Sequence, residues 1–352
     1  MERRINFAKA VNEALHQAMQ NDASVICYGL GTDDPKGVFG TTLGLQEKFG
    51  PDRVFDMPTA ENAMTGIAIG ASLNGIRPVM THQRLDFFLL AMDQLVNNAA
   101  KWHYMFGGKS SVPITIRLIL GRGWGQGPTH SQNLQAWFTH IPGIKVVAPA
   151  LAADAKGLLL ASIADNDPVV FLEHRWLHNL EGHVPPEPVC APLGKAQLIK
   201  KGDAVTIAAF SYMTVEALHA VDVLEKQGVH CDLLDLRTLS PLDWPAVFAS
   251  VRRTGRLLAL DTGNQTCSVA SEIVARVSTE CFSILKAPPR RLALPDFPTP
   301  TSPSLTKGFY VGAEEIAIEA GKLVDKDIVR TAFDDHRARP QDVPGDWFKG
   351  PF

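Results

Sequence analysis

The spacing of apolar residues along the first half of the chain predicts strands that alternate with helices. Short apolar runs at 25–29, 54–56 and 77–80 are typical of buried strands. Between them, residues 5–20 and 152–163 carry apolar side chains at helical spacing. Alternation of this kind predicts a mostly parallel sheet that is covered by helices on both faces.

The alternation stops at residues 178–195, which are polar and proline-rich, and resumes after them. We therefore predict an α/β fold of two domains, each a mostly parallel sheet flanked by helices. The predicted boundaries are 1–177 for the first domain, 178–195 for a linker and 196–324 for a smaller second domain. Residues 325–352 are charged and contain prolines, and we expect them to form a tail that lies on a surface or on a partner.

Composition narrows the classes of function. The chain has 352 residues and a formal net charge of -3, and basic patches with interleaved aromatic residues are absent, so we expect no nucleic-acid partner. No apolar stretch is long enough for a membrane span, and the first residues do not have the pattern of a signal peptide. The five cysteines are scattered without metal-ligand spacing, which favours a cytoplasmic protein.

Residues 58–70 place one carboxylate, Glu61, at the start of an apolar, glycine-containing helix. Thr59 is positioned to cap this helix, and Ala63 and Ile67 are predicted to share its apolar face. A helix start stabilises an ionised glutamate, whereas an apolar pocket raises its pKa. In such a pocket the carboxyl group can share a proton with a bound heterocycle. The alternative is an ordinary carboxylate at a solvated helix start.

Two other segments are expected beside Glu61, because loops at the carboxyl ends of parallel strands meet at one edge of the sheet. One is residues 82–87, and the other is the glycine-rich loop 121–130, which ends in His130. A loop histidine can stabilise an oxyanion or transfer a proton, although a surface histidine without function is the alternative. The glycine spacing matches a dinucleotide fingerprint only loosely, and a mobile lid is the alternative explanation.

Motifs for other chemistries are missing. The chain has no serine-elbow motif, no metal triad and no P-loop, and Gly202-Asp203 precedes a predicted strand rather than the helix of a diphosphate-magnesium motif. The sequence therefore predicts the part of a site that transfers protons, but not the part that would bind a phosphate group.

Several ordered motifs resemble the beta subunit of the thiamine-diphosphate-dependent decarboxylase component of 2-oxo acid dehydrogenase complexes, a transketolase-like family that includes the pyruvate, branched-chain and acetoin enzymes. The matching segments are residues 37–39, 44–56, 58–70, 93–101, 130–132, 235–243 and 254–256. The resemblance covers the chain to about residue 324. It implies a pyrimidine-binding domain followed by a transketolase-type C-terminal domain.

The resemblance also assigns roles to individual residues. Glu61 corresponds to the glutamate that hydrogen-bonds the aminopyrimidine ring and activates the cofactor, and Phe87 to the aromatic residue that packs on that ring. His130 corresponds to the histidine proposed to assist acyl transfer to a lipoyl group. We place Gln83 in the same cofactor-binding set, so that Glu61 and His130 are the predicted catalytic residues.

Partners and ions follow from the resemblance as well. It implies an alpha subunit that holds the diphosphate and its Mg²⁺, an alpha2-beta2 heterotetramer with the cofactor at the interface, a lipoyl transacylase, and a small 2-oxo acid as substrate. Backbone oxygens around Ser162, Ile163, Asp165 and Asp167 correspond to a potassium-binding turn found in some members.

Arg84 departs from the family pattern, in which an apolar residue or threonine is usual. A guanidinium group near the cofactor can bind a carboxylate or phosphate. We therefore predict that Arg84, together with His130, contacts a polar, anionic or sugar-like substrate. The alternative is that Arg84 pairs with Asp86 or with the partner chain.

Two other functions use the same residues differently. A split transketolase or acyloin-type synthase would pass a ketol or acyl unit to an aldehyde or sugar instead of a lipoyl group. A regulatory subunit would have no catalytic role, but the presence of Glu61, Phe87 and His130 argues against it.

Overall fold

The computed structural model of the chain describes residues 3–121, 125–334, 342–345 and 348 and arranges them around three β-sheets. The predicted α/β class is confirmed, because the two larger sheets have seven and five strands, are mostly parallel and are flanked by helices. Among the described residues, no helix is both long and apolar enough to cross a membrane.

The first part of the chain supplies six parallel strands of the seven-stranded sheet. In chain order its elements are β1 (Arg4–Asn6), α1 (Phe7–Asn21), β2 (Val25–Gly29), α2 (Leu45–Phe49), β3 (Val54–Asp56), α3 (Glu61–Ser72), β4 (Arg77–His82), α4 (Leu85–Phe88), α5 (Ala100–Met105), β5 (Thr115–Leu120), α6 (Gln135–Thr139), β6 (Lys145–Val147), α7 (Ala152–Ala164), β7 (Val169–His174) and β8 (Glu181–His183). Short 3-10 helices cover Val38–Gly40, Leu89–Ala91 and Arg175–Leu177, and a π-helix covers Gln94–Ala99.

The second part of the chain forms the five-stranded sheet. Its elements are β9 (Gln197–Lys200), β10 (Thr206–Ala209), α8 (Tyr212–Lys226), β11 (Asp232–Asp235), β12 (Thr238–Ser240), α9 (Trp244–Thr254), β13 (Leu257–Asn264), α10 (Val269–Glu280), β14 (Arg290–Leu294), α11 (Pro303–Thr306) and α12 (Ala313–Leu323), with 3-10 helices at Phe282–Ile284 and Arg330–Phe333. The strand order is β14-β13-β10-β11-β9, and only β9 is antiparallel to its neighbour.

Strand order in the large sheet determines where the candidate site lies. The order is β12-β6-β7-β5-β4-β2-β3, and the six strands from β6 to β3 run parallel. The segments after β2, β3, β4, β5 and β7 therefore emerge at one edge. These segments contain most of the predicted site residues.

Two short strands tie distant parts of the chain together. β12 comes from the second part of the chain but pairs antiparallel with β6 of the large sheet. β8 lies within the predicted linker 178–195 and pairs antiparallel with β1. Both were absent from the prediction, because each has only three residues and depends on a partner strand far away in sequence.

Local sequence explains how the principal helices begin and which faces they bury. The side chain of Asn6 accepts a hydrogen bond from Lys9 N at the start of α1, and that of Asp243 accepts one from Ala246 N at the start of α9. The α1 face that includes Val11 and Leu15 is fully buried, as its apolar spacing predicts.

Candidate active site

Glu61 is the first residue of α3 and is only 5% exposed. Its backbone carbonyl accepts a hydrogen bond from Thr65 Oγ1, but its carboxylate accepts none from any residue that the structure describes. A carboxylate on a nearly buried residue that has no donor among the described residues can accept a hydrogen bond from a ligand. This arrangement fits a carboxyl group that forms its hydrogen bond with a ligand.

The start and orientation of α3 differ from the prediction. Thr59 does not cap the helix, since the N-cap is Ala60 and no side chain caps it. The buried face contains Met64 and Ala68, whereas Ala63 is exposed and Ile67 is half exposed. Both faces of α3 are apolar, so spacing alone did not identify the one that faces the core.

Phe87 and His130 are brought together, as expected from the sheet edge. Phe87 lies on α4, and its ring centroid is 5.3 Å from that of His130 at an interplanar angle of 89°. The Phe87 side chain is 39% exposed although it belongs to a large apolar residue. Two rings in edge contact, one of them accessible, provide a surface for a flat ligand and an imidazole beside it.

Gln83 lies over the loop that follows β2. A Cβ atom added to Gly31 would come within 2.5 Å of Gln83 Nε2, and Gly31 has a positive φ of 76°, so glycine suits this position. The carboxylate of Asp56 accepts hydrogen bonds from the backbone nitrogens of Gly31 and Thr32 at 2.7 and 2.5 Å. The ends of β2, β3 and β4 are therefore linked at the edge that carries Glu61.

Arg84 and Asp86 do not pair with each other. The Asp86 carboxylate accepts hydrogen bonds from Gln132 Nε2 at 2.8 Å and from Gln132 N at 3.4 Å, and burial raises the pKa of Asp86. Arg84 instead donates to the carbonyl oxygen of Gly121 and to the side chain of Gln126. The alternative in which Arg84 pairs with Asp86 is thus wrong.

A second polar cluster, which was not predicted from the sequence, lies beneath the same edge. Arg117 on β5 donates to both carboxylate oxygens of Glu173 on β7, at 2.6 and 3.0 Å, and to Thr81 Oγ1 at 3.2 Å. Arg117 and Glu173 are fully buried, and His178 Nε2 lies 3.3 Å from the carboxylate. Opposite charges within two apolar strands were the signal that could have revealed this pair.

His82 and Phe39 were also missed as parts of this edge. His82 ends β4 and is buried, and neither ring nitrogen has a hydrogen-bond partner among the described residues. Burial lowers the pKa of His82 to about 4. Phe39 has an unusual positive φ of 51°. Such features point to a segment whose conformation is determined by its surroundings.

The predicted potassium turn is occupied by cationic side chains of the chain itself. Arg77 donates to the carbonyl oxygens of Ile163 at 3.2 Å and of Asp165 at 2.9 Å. Lys145 Nζ lies 2.7 Å from the Asp165 carboxylate and 3.1 Å from that of Asp167. The hydroxyl of Ser162 donates within its own helix, to Leu158 O. Because a potassium ion would face two fixed positive charges, these contacts do not support the potassium prediction.

A cavity of about 470 Å³ lies next to the loop that carries His130. Gln132 and Asn133 line it from the first part of the chain, and Asn264 and Asp296 from the second. Glu61 and Phe87 are not among its lining residues. Within the described ranges, no group of three or more His, Cys, Asp or Glu residues is arranged to hold a metal ion.

The residues at this edge fit one half of a thiamine-type cofactor. The unpartnered Glu61 carboxylate suits a ring nitrogen, and the accessible Phe87 ring suits a planar heterocycle. A metal site for a diphosphate is not found among the described residues. The chain thus offers donors and acceptors for the pyrimidine end of such a molecule.

Comparison with protein-family models gives two matches. The transketolase pyrimidine-binding domain matches residues 3–179, and the transketolase C-terminal domain matches residues 194–316. Together they cover both large sheets.

Comparison with curated proteins gives relatives over nearly the whole chain. The beta subunit of acetoin:2,6-dichlorophenolindophenol oxidoreductase from Cupriavidus necator is 42% identical over 92% of this chain and 98% of its own. The mitochondrial pyruvate dehydrogenase E1 component subunit beta-1 from Oryza sativa subsp. japonica is 40% identical, over 88% and 83% respectively. The 2-oxoisovalerate dehydrogenase subunit beta from Bacillus subtilis is 37% identical, over 91% and 99%.

Among solved structures, a split-gene transketolase described as an inactive beta4 tetramer aligns with a TM-score of 0.73. It is 22% identical and covers 91% of this chain and 98% of its own. At this identity the likeness concerns the fold alone.

Proposed function

The chain belongs to the family of beta subunits of thiamine-dependent 2-oxo acid dehydrogenases, and from this premise we propose that it acts with thiamine diphosphate to decarboxylate a small 2-oxo acid and pass the acyl group to a lipoyl carrier. The observation that carries the proposal is the buried Glu61 carboxylate, which has no donor among the described residues. It lies at the same sheet edge as the accessible ring of Phe87.

In this proposal Glu61 holds a proton between its carboxylate and a nitrogen of the aminopyrimidine ring. Its burial strengthens that hydrogen bond, because the local dielectric is low. Phe87 would pack on the ring of the cofactor, and Gln83 would donate or accept a hydrogen bond beside it. When bound, thiamine diphosphate supplies a nucleophilic carbon and an electron sink for the loss of carbon dioxide. His130, in edge contact with Phe87, transfers a proton during release of the acyl group.

An alpha subunit completes the site. The described part of this chain contains no metal-ligand cluster, so we assign the diphosphate and its Mg²⁺ to the partner. Large apolar side chains that include Ile67, Leu90 and Tyr104 are exposed near α3 and α5, as expected of a surface covered by another chain. An alpha2-beta2 heterotetramer and a lipoyl transacylase are the assembly that we propose.

The central test is Glu61→Gln in the enzyme reconstituted with its alpha subunit. Glutamine keeps the shape but cannot exchange a proton, so we expect cofactor-dependent decarboxylation to fall by about 100-fold or more. Glu47→Gln is the matched control, since Glu47 is an exposed glutamate in the first turn of α2. Unchanged turnover in Glu61→Gln would contradict the proposal.

The acyl acceptor distinguishes the dehydrogenase from a synthase. We expect transfer of the acyl group to a lipoylated domain and little carbon–carbon bond formation with an added aldehyde. Preferred transfer to the aldehyde, measured as acyloin product, would favour the synthase instead.

A further inference from the structure

Two buried guanidinium groups face the ring of Phe39 at the edge that carries the candidate active site. Arg84 and Arg175 are each only 4% exposed. Their Cζ atoms lie 6.0 and 4.2 Å from the Phe39 ring centroid. Arg84 follows β4 and Arg175 follows β7, so both emerge at the carboxyl edge of the large sheet.

Arg84 is held by neutral acceptors only. It donates to the carbonyl oxygen of Gly121 at 3.5 Å and to the side-chain oxygen of Gln126. No carboxylate among the described residues lies within ion-pair distance of it. Burial lowers the pKa of Arg84 to about 10 against an opposing effect of the Asp86 charge. Burial, and after it the charge of Arg84, lowers the pKa of Arg175 to about 10. Among the described residues, Arg84 therefore has no carboxylate within ion-pair distance, and Asp86 acts on it only through a longer-range Coulombic attraction.

Phe39 keeps this arrangement fixed. Its backbone has a φ of 51°, a conformation that is unfavourable for a bulky residue. Its ring interacts with Arg175 and also lies 5.7 Å from the ring of His178. A strained aromatic residue that contacts two guanidinium groups indicates a site that is shaped in advance of binding.

The position of Arg84 relates this charge to the chemistry. It lies three residues before Phe87, and its acceptor Gln126 lies four residues before His130. A ligand group that binds Arg84 would therefore lie beside the two segments that carry the contacting rings of Phe87 and His130.

We infer that Arg84, Arg175 and Phe39 form an anion subsite, which binds a second anionic group, a carboxylate or a phosphate, on the 2-oxo acid. The inference rests on the proposed function for the identity of the reacting part. An anionic oxygen would replace the neutral acceptors of Arg84 and form charge-assisted, bidentate hydrogen bonds.

The reacting carboxylate is a poorer candidate for this subsite. Its charge disappears when carbon dioxide leaves, so two guanidinium groups would stabilise the substrate more than the transition state. An anionic group remote from the reacting carbon keeps its charge throughout and gains binding energy at every step.

The test compares two substrates that differ by one carboxylate, 2-oxovalerate and 2-oxoglutarate, in the reconstituted enzyme. Arg84→Gln is expected to lower kcat/KM for 2-oxoglutarate by about 10- to 100-fold, as for the loss of a hydrogen bond to a charged group, and that for 2-oxovalerate by less than about threefold. In a second arm, inorganic phosphate should inhibit the wild type competitively and the variant much less. An Arg84-dependent response to phosphate, with kcat/KM unchanged for both 2-oxo acids, favours a phosphate over a carboxylate as the second anionic group.

Arg53→Gln is the matched control. Arg53 also binds only carbonyl oxygens, those of Met19, Asp22 and Val25, but precedes β3 at the opposite edge of the sheet. It should change neither substrate preference nor phosphate inhibition. If Arg84→Gln folds poorly, Arg84→Lys is the second variant. It keeps the positive charge but lacks the planar guanidinium group that forms two parallel hydrogen bonds, so it should give an intermediate substrate preference.

A binding measurement separates this inference from the proposed function. Phosphate at constant ionic strength should raise the Tm of the full wild-type chain and not that of Arg84→Gln. If the wild type shows no cofactor-dependent turnover, the proposed function fails, and the Tm shift still decides the subsite. Three results would contradict the subsite. One is an equal loss of kcat/KM for both substrates in Arg84→Gln, and another is weaker binding of the alpha subunit without a change in substrate preference. The third is the absence of any Arg84-dependent response to either anion.

Discussion

Two buried arginines on neighbouring parts of the same sheet have opposite surroundings. Arg117 on β5 is neutralised by the Glu173 carboxylate, to which it donates two hydrogen bonds, and it donates a third to the Thr81 hydroxyl. Arg84, just after β4, has a carbonyl and an amide oxygen as its acceptors among the described residues. Burial is nearly the same for both, at 1% and 4% exposure. Burial alone therefore does not distinguish a structural charge from one that is available to a ligand.

The difference lies in where the compensating charge comes from. A cation whose counterion belongs to the fold is compensated within the protein, and its removal leaves the counterion buried without a partner. A cation without an internal counterion adds little to folding but can bind an external anion strongly. Glu61, which lacks a donor, belongs with Arg84 in this respect.

The largest expected effect is on the neutralised pair. Arg117→Met should lower the free energy of unfolding by about 3–5 kcal/mol, because Glu173 would remain as a buried, uncompensated carboxylate. Urea denaturation of the full chain measures this. The double variant Arg117→Met/Glu173→Leu, which leaves neither charge, should recover most of the loss. If the double variant were as unstable as the single one, packing rather than charge would explain the result.

The next effect concerns pH. Burial lowers the pKa of His82 to about 4, below the value near 6.5 of an unfolded histidine. The unfolded chain then binds more protons than the folded chain between these values, so stability is complete above about pH 6.5 and falls as the pH approaches 4. His82→Leu should remove part of this loss, by up to about 3 kcal/mol at pH 4.

Unfolding of the wild type and of His82→Leu at pH 7 and pH 4.5 provides the comparison. His174 and His178 also have lowered pKa values because they are buried, so the variant should retain some acid sensitivity. An identical pH dependence in the two proteins would mean that His82 does not remain neutral in the fold.

Part of the fold and of the candidate site could be predicted from the sequence. The strands β2 to β7 and the edge that joins Glu61, Phe87 and His130 were predictable, because apolar periodicity and the parallel arrangement are local signals. The edge contact between Phe87 and His130 agrees with that prediction. The roles of these residues stay predictions until they are tested.

Interactions between distant segments were not predictable. Arg84 was expected to contact substrate or to pair with Asp86, but nothing local indicated that Gln132 would bind Asp86 instead. The pairing of β12 with β6 joins residues about ninety positions apart. The exposed face of α3 was misassigned, since both of its faces are apolar and the choice depends on what packs against it.

The contrast predicts a small effect on stability when Arg84 is changed. Arg84→Met should leave the free energy of unfolding within about 1 kcal/mol of the wild type, or raise it, because no buried carboxylate loses its partner. The same substitution at Arg117 provides the control in the same assay. A loss of stability as large as that of Arg117→Met would show that Arg84 has a counterion within the folded chain.

A modest effect on turnover, rather than on stability, is expected at Asp86, which links the two segments of the candidate site. Its carboxylate binds the backbone and side chain of Gln132, two residues after His130, and α4 carries both Asp86 and Phe87. Asp86→Ala should therefore lower kcat by about tenfold with little change in KM, because His130 would be less well placed. Asp86→Asn keeps an acceptor oxygen for Gln132 and should restore most of kcat. If asparagine failed to restore it while the protein remained folded, the negative charge of Asp86 rather than its hold on the His130 segment would be responsible.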